Sequence, residues 1–445
     1  MVDYLDKLSQ FVADTDYEDL SPAAVAATKD VILDTIGAIV AGSELPENAK
    51  LARTVVQRSG PAAATIMGHP LKAEPMLATL VNATAGVALE MDEGNRFGGG
   101  HPSIHVTPGA IAVAEEMGAS GQQLIEAVLV GYEVSTRIGR ATKTRFNVHS
   151  HGHWGTFATA AAVAKLKGYN AKAVRGVINV ATGMSPANSW TAAFKGATVR
   201  NLYPGRSGLM GILASHAYEC GFTGVDDAPA DLFGIILGEG FDRDLAVEGL
   251  GSDEYRIQQN YFKFYACCRI NHPSLDAILS IQEREPFAPE EVESIDLTTR
   301  TMLQGMLGDY PKTMLAAKFN VPYAVAATAV RGTANVTSFY DDARADARIK
   351  AMVPKVHIHL DPSIPQNGPL VEAAVRLKNG RVLKETTLTV RGDHGNRMPR
   401  QAILDKFHFL NDHILGKERA SQVITTTERL DQLDDVRALT RLVGE

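Results

Sequence analysis

The sequence predicts a mainly α protein: a large all-helical domain (residues 1–261 and 397–445) carrying a smaller inserted α+β lid domain (residues 262–396). Three observations predict it. Apolar residues recur at three- and four-residue spacing almost without interruption to about residue 260, which is the period of a packed helix. Beyond that the period falls to two, around Asn379-Gly380, a pair that closes β-hairpins. After Pro399 the helical period returns. A domain inserted on two crossings can hinge, and the cleft beside it is a natural ligand site.

The elements follow in order. Asp3–Ala13 reads as a first helix. Ser21-Pro22 supplies a cap and a proline at the first helical position, opening Ala23–Ala41, which Gly42 closes. Met76–Leu89 is helical and rich in alanine, and Pro108 starts a helix that runs to Met117. Gly121–Thr144, Thr156–Leu166, Lys172–Thr182 and Gly205–Cys220 complete the set. Small residues dominate these helices, so close helix–helix packing is expected. In the lid, Val292–Thr299, Val356–Leu360, Val371–Leu377 and Val382–Arg391 read as strands, and Pro273–Arg284 and Pro322–Arg331 as helices. The tail reads as Arg400–Leu415 and Ala420–Leu442.

Composition narrows the class. The chain has 445 residues, 45% hydrophobic and 21% charged, with a net charge of −7. That balance suits a globular protein with more than one core and argues against a general binder of nucleic acid or acidic membranes. Cys220, Cys267 and Cys268 cannot form a disulfide framework, so a reducing, cytoplasmic setting is expected. The N-terminus is acidic and amphipathic, unlike a signal peptide, and no apolar run reaches the roughly 20 residues of a membrane span.

Five places carry residues suited to chemistry. Glu90, Asp92 and Glu93 precede a loop of Gly98, Gly99 and Gly100 that delivers His101-Pro102-Ser103. Carboxylates beside an imidazole can form an acid–base pair; an ordinary surface loop with an acidic rim is the plain reading. His149, His151 and His153 would share one face of a strand and could hold a metal, or could line a polar loop before a helix. Lys195, Arg200 and Arg206 surround a helix start and could clamp a carboxylate. Lys263, between Phe262 and Phe264, could be desolvated and so have its pKa lowered into the range of a base. Tyr323, in Val321-Pro322-Tyr323, is a hydroxyl donor or core.

These places coincide with LDTIGAIVAGS, LVNATAGVALEMDEG, GGGHPSIHVTPGAIAVAEE, VGYEVSTRIGRA, GRSGLMGILASHAYECGFTG, KFYACCRINHPSLDA and FNVPYAVAATAVRG. Together and in this order they resemble the MmgE/PrpD family, which includes 2-methylcitrate dehydratase, cis-aconitate decarboxylase and an iminodisuccinate epimerase. The resemblance covers nearly the whole chain. It implies a helical domain with an α+β lid, a homodimer, and a site between the two domains that needs no cofactor. His101, His149, Lys263, Tyr323, Glu90 and Asp92 are then the expected catalytic residues. Arg200, Arg206, His272 and Ser103 are the expected substrate-binding residues, and no metal is expected. Three positions depart from the family pattern: Glu90 and Gly94 replace an Asp and a Thr, and Arg200 stands where many members have Lys. They place the substrate, more than the fold, away from the two best-known tricarboxylate activities.

The expected function is a cofactor-free lyase acting by proton transfer next to a carboxylate of a small di- or tricarboxylate, by dehydration first and decarboxylation second. An epimerase or isomerase on the same scaffold is one alternative. A metal-dependent hydrolase using His149, His151 and His153 is a second, and a binding protein without catalysis a third.

Overall fold

The computed structural model describes residues 3–252 and 254–444. The helices of the first part are α1 (Tyr4–Asp14), α2 (Pro22–Ser43), α3 (Pro46–Val56), α4 (Pro75–Ala88), α5 (Pro102–Met117), α6 (Gly121–Ala141), α7 (Gly155–Leu166), α8 (Ala171–Gly183), α9 (Thr191–Phe194), α10 (Leu202–Glu219) and α11 (Ala228–Asp231). Three two-stranded ribbons accompany them: β1 (Ala64–Ile66) with β2 (Leu71–Ala73), β3 (Gly94–Asn95) with β6 (Asn260–Tyr261), and β4 (Thr142–Thr144) with β5 (Gly238–Phe241). The protein is mainly α, as expected.

The second part opens with α12 (His272–Arg284) and holds β7 (Val292–Thr299), β8 (Val356–Leu360), β9 (Val371–Leu377) and β10 (Val382–Thr387). They form one sheet in the order β10-β9-β7-β8, antiparallel except for the β7–β8 pair. The helices α13 (Met314–Lys318), α14 (Val321–Arg331), α15 (Asp341–Ala345) and α16 (Ala347–Met352) fill the crossover between β7 and β8. The tail forms α17 (Arg400–Leu415), α18 (Lys417–Glu428) and α19 (Arg437–Gly444). Two large buried apolar clusters result. One joins the early helices to Phe407, Val423 and Leu439 of the tail. The other joins Leu275, Leu297, Val325 and Val375 of the sheet region to Leu89 and Met91. Among the described residues no helix is long and apolar enough to cross a membrane.

Several boundaries differ from the expectations. The helix expected from Pro108 begins instead at Pro102, and Pro108 lies inside α5. The neighbouring backbone is supported from outside, the His105 carbonyl accepting from the Thr159 hydroxyl at 2.9 Å. Gly42 stands one residue before the end of α2, as read, and lets the helix cross α4, because a Cβ there would sit 1.9 Å from the Ala85 carbonyl oxygen. α6 ends at Ala141, where Thr142–Thr144 turns into strand pairing. The hairpin strand expected to reach Arg391 ends at Thr387. The single tail helix expected over Ala420–Leu442 breaks after Glu428 into α18, a short turn and α19.

Candidate active site

The site is built where α4 ends. Lys318, at the end of α13, donates to the carbonyls of Leu89 at 2.7 Å and Ala88 at 3.4 Å, completing bonds that a helix C-terminus leaves open. The next residue, Glu90, has φ +56°, the one non-glycine with positive φ among the described residues. A side chain in that conformation costs on the order of 1–2 kcal/mol, so its contacts must hold it. They do: Glu90 Oε1 lies 2.5 Å from Arg200 Nη2, and Glu90 Oε2 accepts from Lys263 Nζ at 3.0 Å. All three side chains are buried.

Asp92 continues the array. Its Oδ1 accepts from Lys263 Nζ at 3.3 Å and its Oδ2 lies 3.2 Å from His101 Nδ1. Lys263 reaches it because β6 pairs with β3, Gly94 opposite Tyr261. Burial works to lower the Lys263 pKa, but Asp92 and Glu90 overcome it and hold the ammonium protonated. The expectation of a lowered lysine pKa is therefore corrected: Lys263, two residues beyond β6, is buried with its ammonium on two carboxylates. Burial also works to raise Asp92 and Glu90. Lys263 and His101 outweigh it at Asp92, Arg200 and Lys263 at Glu90, and both acids are held below their ordinary range.

His101 caps α5 and is oriented from behind. Its Nδ1 lies 2.6 Å from the Glu93 carbonyl oxygen, which can only accept. Nδ1 therefore carries a proton, and Nε2 is the nitrogen left free of that carbonyl. The Glu93 carboxyl accepts from the Ser103 amide at 2.7 Å and the Tyr132 hydroxyl at 3.0 Å. Burial pushes it up to about 8, so this acid is protonated at neutral pH.

His149, His151 and His153 do not form a strand; they lie on the polar loop before α7 that was the other reading of the run. Residues 149–153 turn tightly, with Gly152 at φ +86° and packed on Asn188. Asn188 binds three points of the turn. Its amide N–H donates to His153 Nε2 at 3.2 Å, its side-chain amide donates to the His151 carbonyl at 2.8 Å, and its carbonyl accepts from the His149 amide at 3.0 Å. His149 stacks on Trp190 at 3.9 Å, and its Nδ1 accepts from the His151 amide at 3.0 Å. His151 stacks on His101, ring centroids 4.4 Å apart and planes within 15°. With these bonds made, the rings of His149, His151 and His153 cannot converge on one ion. Asp92, His101 and His151 do offer atoms within 4.8 Å of one another. They fit a dication poorly, because Lys263 already neutralises Asp92 and Arg200 stands beside them.

Polar atoms without partners mark the interior of this cluster. Among the described residues they include Arg200 Nε and Nη1, His149 Nε2, and both ring nitrogens of His151. Buried polar atoms are normally bonded, so such a set needs a ligand or water. Arg200 also lies over the Phe319 ring at 5.2 Å. Burial, then Arg200 and His101, hold His149 and His151 neutral.

The other expected residues lie elsewhere. The Ser103 hydroxyl is bonded to Thr35 at 2.6 Å and Thr107 at 2.7 Å, inside the helical core. Tyr323 is buried in the sheet-side core and donates to the Ser338 carbonyl at 2.9 Å, so its hydroxyl is committed. His272 sits behind Lys263, its Nε2 on the Cys267 carbonyl at 3.2 Å. Arg206 is bonded to Asn188 and Lys195 is exposed. Residues the sequence did not single out for the site are Lys318, Tyr261, Asn188 and Trp190. Only Lys318 carried a signal, as a lysine in an otherwise apolar helix run before Asn320-Val321-Pro322.

Cations, imidazoles and a strained carboxylate are buried together between the helical and sheet-bearing cores, a set of groups suited to proton transfer. The MmgE/PrpD N-terminal domain profile matches residues 6–237 and the MmgE/PrpD C-terminal domain profile residues 265–432. The chain belongs to the MmgE/PrpD family and is a lyase-type enzyme. Cis-aconitate decarboxylase of Aspergillus terreus is 23% identical over 96% of this chain and 93% of its own length. Cis-aconitate decarboxylase of Mus musculus is 24% identical over 95% and 90%. A cis-aconitate decarboxylase-like protein of Aspergillus oryzae is 21% identical over 98% and 96%.

Proposed function

We propose that this lyase acts without a cofactor on a small di- or tricarboxylate, moving a proton at a carbon next to a carboxylate. The observation that carries the reading is Arg200, wholly buried, held to Glu90 by one nitrogen and with Nε and Nη1 unpartnered. A planar guanidinium with a free edge receives a carboxylate in two parallel bonds. Lys263, kept protonated by Asp92 and Glu90, stabilises charge as it develops on an enolate-like species. His101, its Nδ1 fixed by Glu93 and Asp92, presents Nε2 as the proton-transfer atom. Tyr323 and Ser103 take no part in this scheme. The names of the relatives put decarboxylation of cis-aconitate first among the reactions to try, ahead of dehydration. A homodimer in the cytoplasm, with residues 262–396 acting as the lid, is part of the same reading.

Arg200→Gln tests it. The variant keeps a planar amide for Glu90 but loses the cation, so binding of tricarboxylates should fall roughly 100-fold or more. Unchanged tricarboxylate affinity, measured by calorimetry, would remove the substrate class proposed here.

A further inference from the structure

His151 is the least satisfied side chain of the site. It is 1% exposed, and neither ring nitrogen has a hydrogen-bond partner among the described residues. Leaving two polar atoms buried and bare costs more than most structural side chains are allowed. Its ring is fixed by stacking instead: face to face on His101 at 4.4 Å, beside His105 at 5.3 Å and His149 at 5.2 Å.

The neighbouring histidines are differently constrained. His105 uses both nitrogens, Nδ1 on the His101 carbonyl and Nε2 accepting from the Gly152 amide. His153 is held at Nε2 by Asn188. His149, a catalytic histidine expected from the resemblance, has Nδ1 occupied by the His151 amide and its ring pinned on Trp190. With Nδ1 accepting, neutral His149 already carries its proton on Nε2, and it can take a second only at Nδ1, by giving up that backbone bond. His151 alone can take or give a proton at either nitrogen without breaking a bond to the protein.

We propose that His151, stacked on His101 with both ring nitrogens unpartnered, is the second proton-transfer residue of this site and delivers the proton to the reacting carbon. The inference rests on the lyase reading. In a decarboxylation the bond between the carboxylate carbon and its neighbour breaks, and carbon dioxide leaves. The electron pair left behind is spread through the neighbouring carbon–carbon double bond into the carboxylate beyond it, the one that Arg200 and Lys263 would face, and either end of that allylic system can take the proton. The His151 imidazolium gives its proton to one of those carbons, a C–H bond forms, and neutral imidazole remains, to be reprotonated from solvent. Before substrate enters, burial and the charges of Arg200 and His101 keep His151 neutral. A carboxylate placed on Arg200 cancels that charge, and Asp92, with an oxygen within 4.8 Å of a His151 nitrogen, favours the imidazolium further. Binding therefore loads His151 with the proton it will deliver.

The test needs no turnover. Calorimetry of the full chain with tricarballylate, a saturated tricarboxylate, at pH 6.5 in two buffers of different ionisation heat counts protons taken up on binding. The wild type should take up about one proton per ligand, His151→Asn close to none, and His149→Gln the same as wild type. With a substrate, His151→Asn should lose about 100-fold or more in kcat while KM moves less than about threefold. Proton uptake that persists in His151→Asn, or wild-type binding without uptake, would overturn the assignment to His151 while leaving the lyase reading intact. A wild type that binds no polycarboxylate at all would overturn both.

Discussion

At Glu93 a single carboxyl is asked to be neutral. It holds the amide of Ser103 and the hydroxyl of Tyr132, and its own carbonyl orients His101. Its pKa, about 8 in the folded chain against an ordinary 4.5, gives stability that is full below 4.5 and is lost as pH rises through 8. Glu93→Gln keeps the shape and removes the titration. Its melting temperature at pH 7 should lie within a few degrees of wild type, about 1 kcal/mol or less. The wild-type decline between pH 4.5 and 8 should flatten in the variant, which thermal melts across that range would show. Little of this was legible in sequence. The run Glu90-Met91-Asp92-Glu93 announces acids, but which are paired with cations and which is left neutral depends on Lys263 and Arg200 arriving from far along the chain.

Elements bring those residues together, and glycines set how closely. Gly94 stands where the family has a threonine, and a Cβ there would meet the Tyr261 hydroxyl at 2.3 Å. The departure is thus accounted for: Tyr261 fills the space, on the short ribbon that carries Lys263 to Asp92. Gly94→Ala should destabilise the protein by about 1–3 kcal/mol and lower activity with it, since the ribbon positions the lysine; an unchanged denaturation midpoint would show that the ribbon yields. The long helices and the four strands of the sheet were legible, because the 3.6 and 2 periods survive without tertiary knowledge, whereas α3, the short helices and the two-stranded ribbons were not. Pro108 misled, read as a helix start where it lies inside α5, while Gly42 stands one residue before the end of α2, as read. In the histidine run alternate spacing suggests a strand, while Gly152 and Asn188 make it a turn that sends one ring onto His101 and another onto Trp190.

Across the whole molecule two apolar cores are joined by charged and polar contacts, and the site lies at that join. Lys318 is the clearest link, a cation from the sheet-bearing part set on the last carbonyls of α4. Burial pushes it down to about 7 from an ordinary 10.5, so its contribution is full above 10.5 and fades as pH falls to 7. Lys318→Met leaves the carbonyls bare and should cost about 1–3 kcal/mol. It should also lose the wild-type gain in stability between pH 7 and 10.5, a loss that melts of the two proteins side by side would reveal.

The most direct measurement is proton NMR of the wild-type enzyme with cis-aconitate and related hydroxy- and unsaturated polycarboxylates in heavy water. The account predicts that one compound loses carbon dioxide or water in the presence of chelator. A decarboxylated product would carry one solvent deuteron, on the carbon that held the lost carboxylate or, for an unsaturated substrate, at the far end of the shifted double bond. Deuterium exchange or inversion without net loss, or no reaction from a protein that binds these compounds through Arg200, would contradict it.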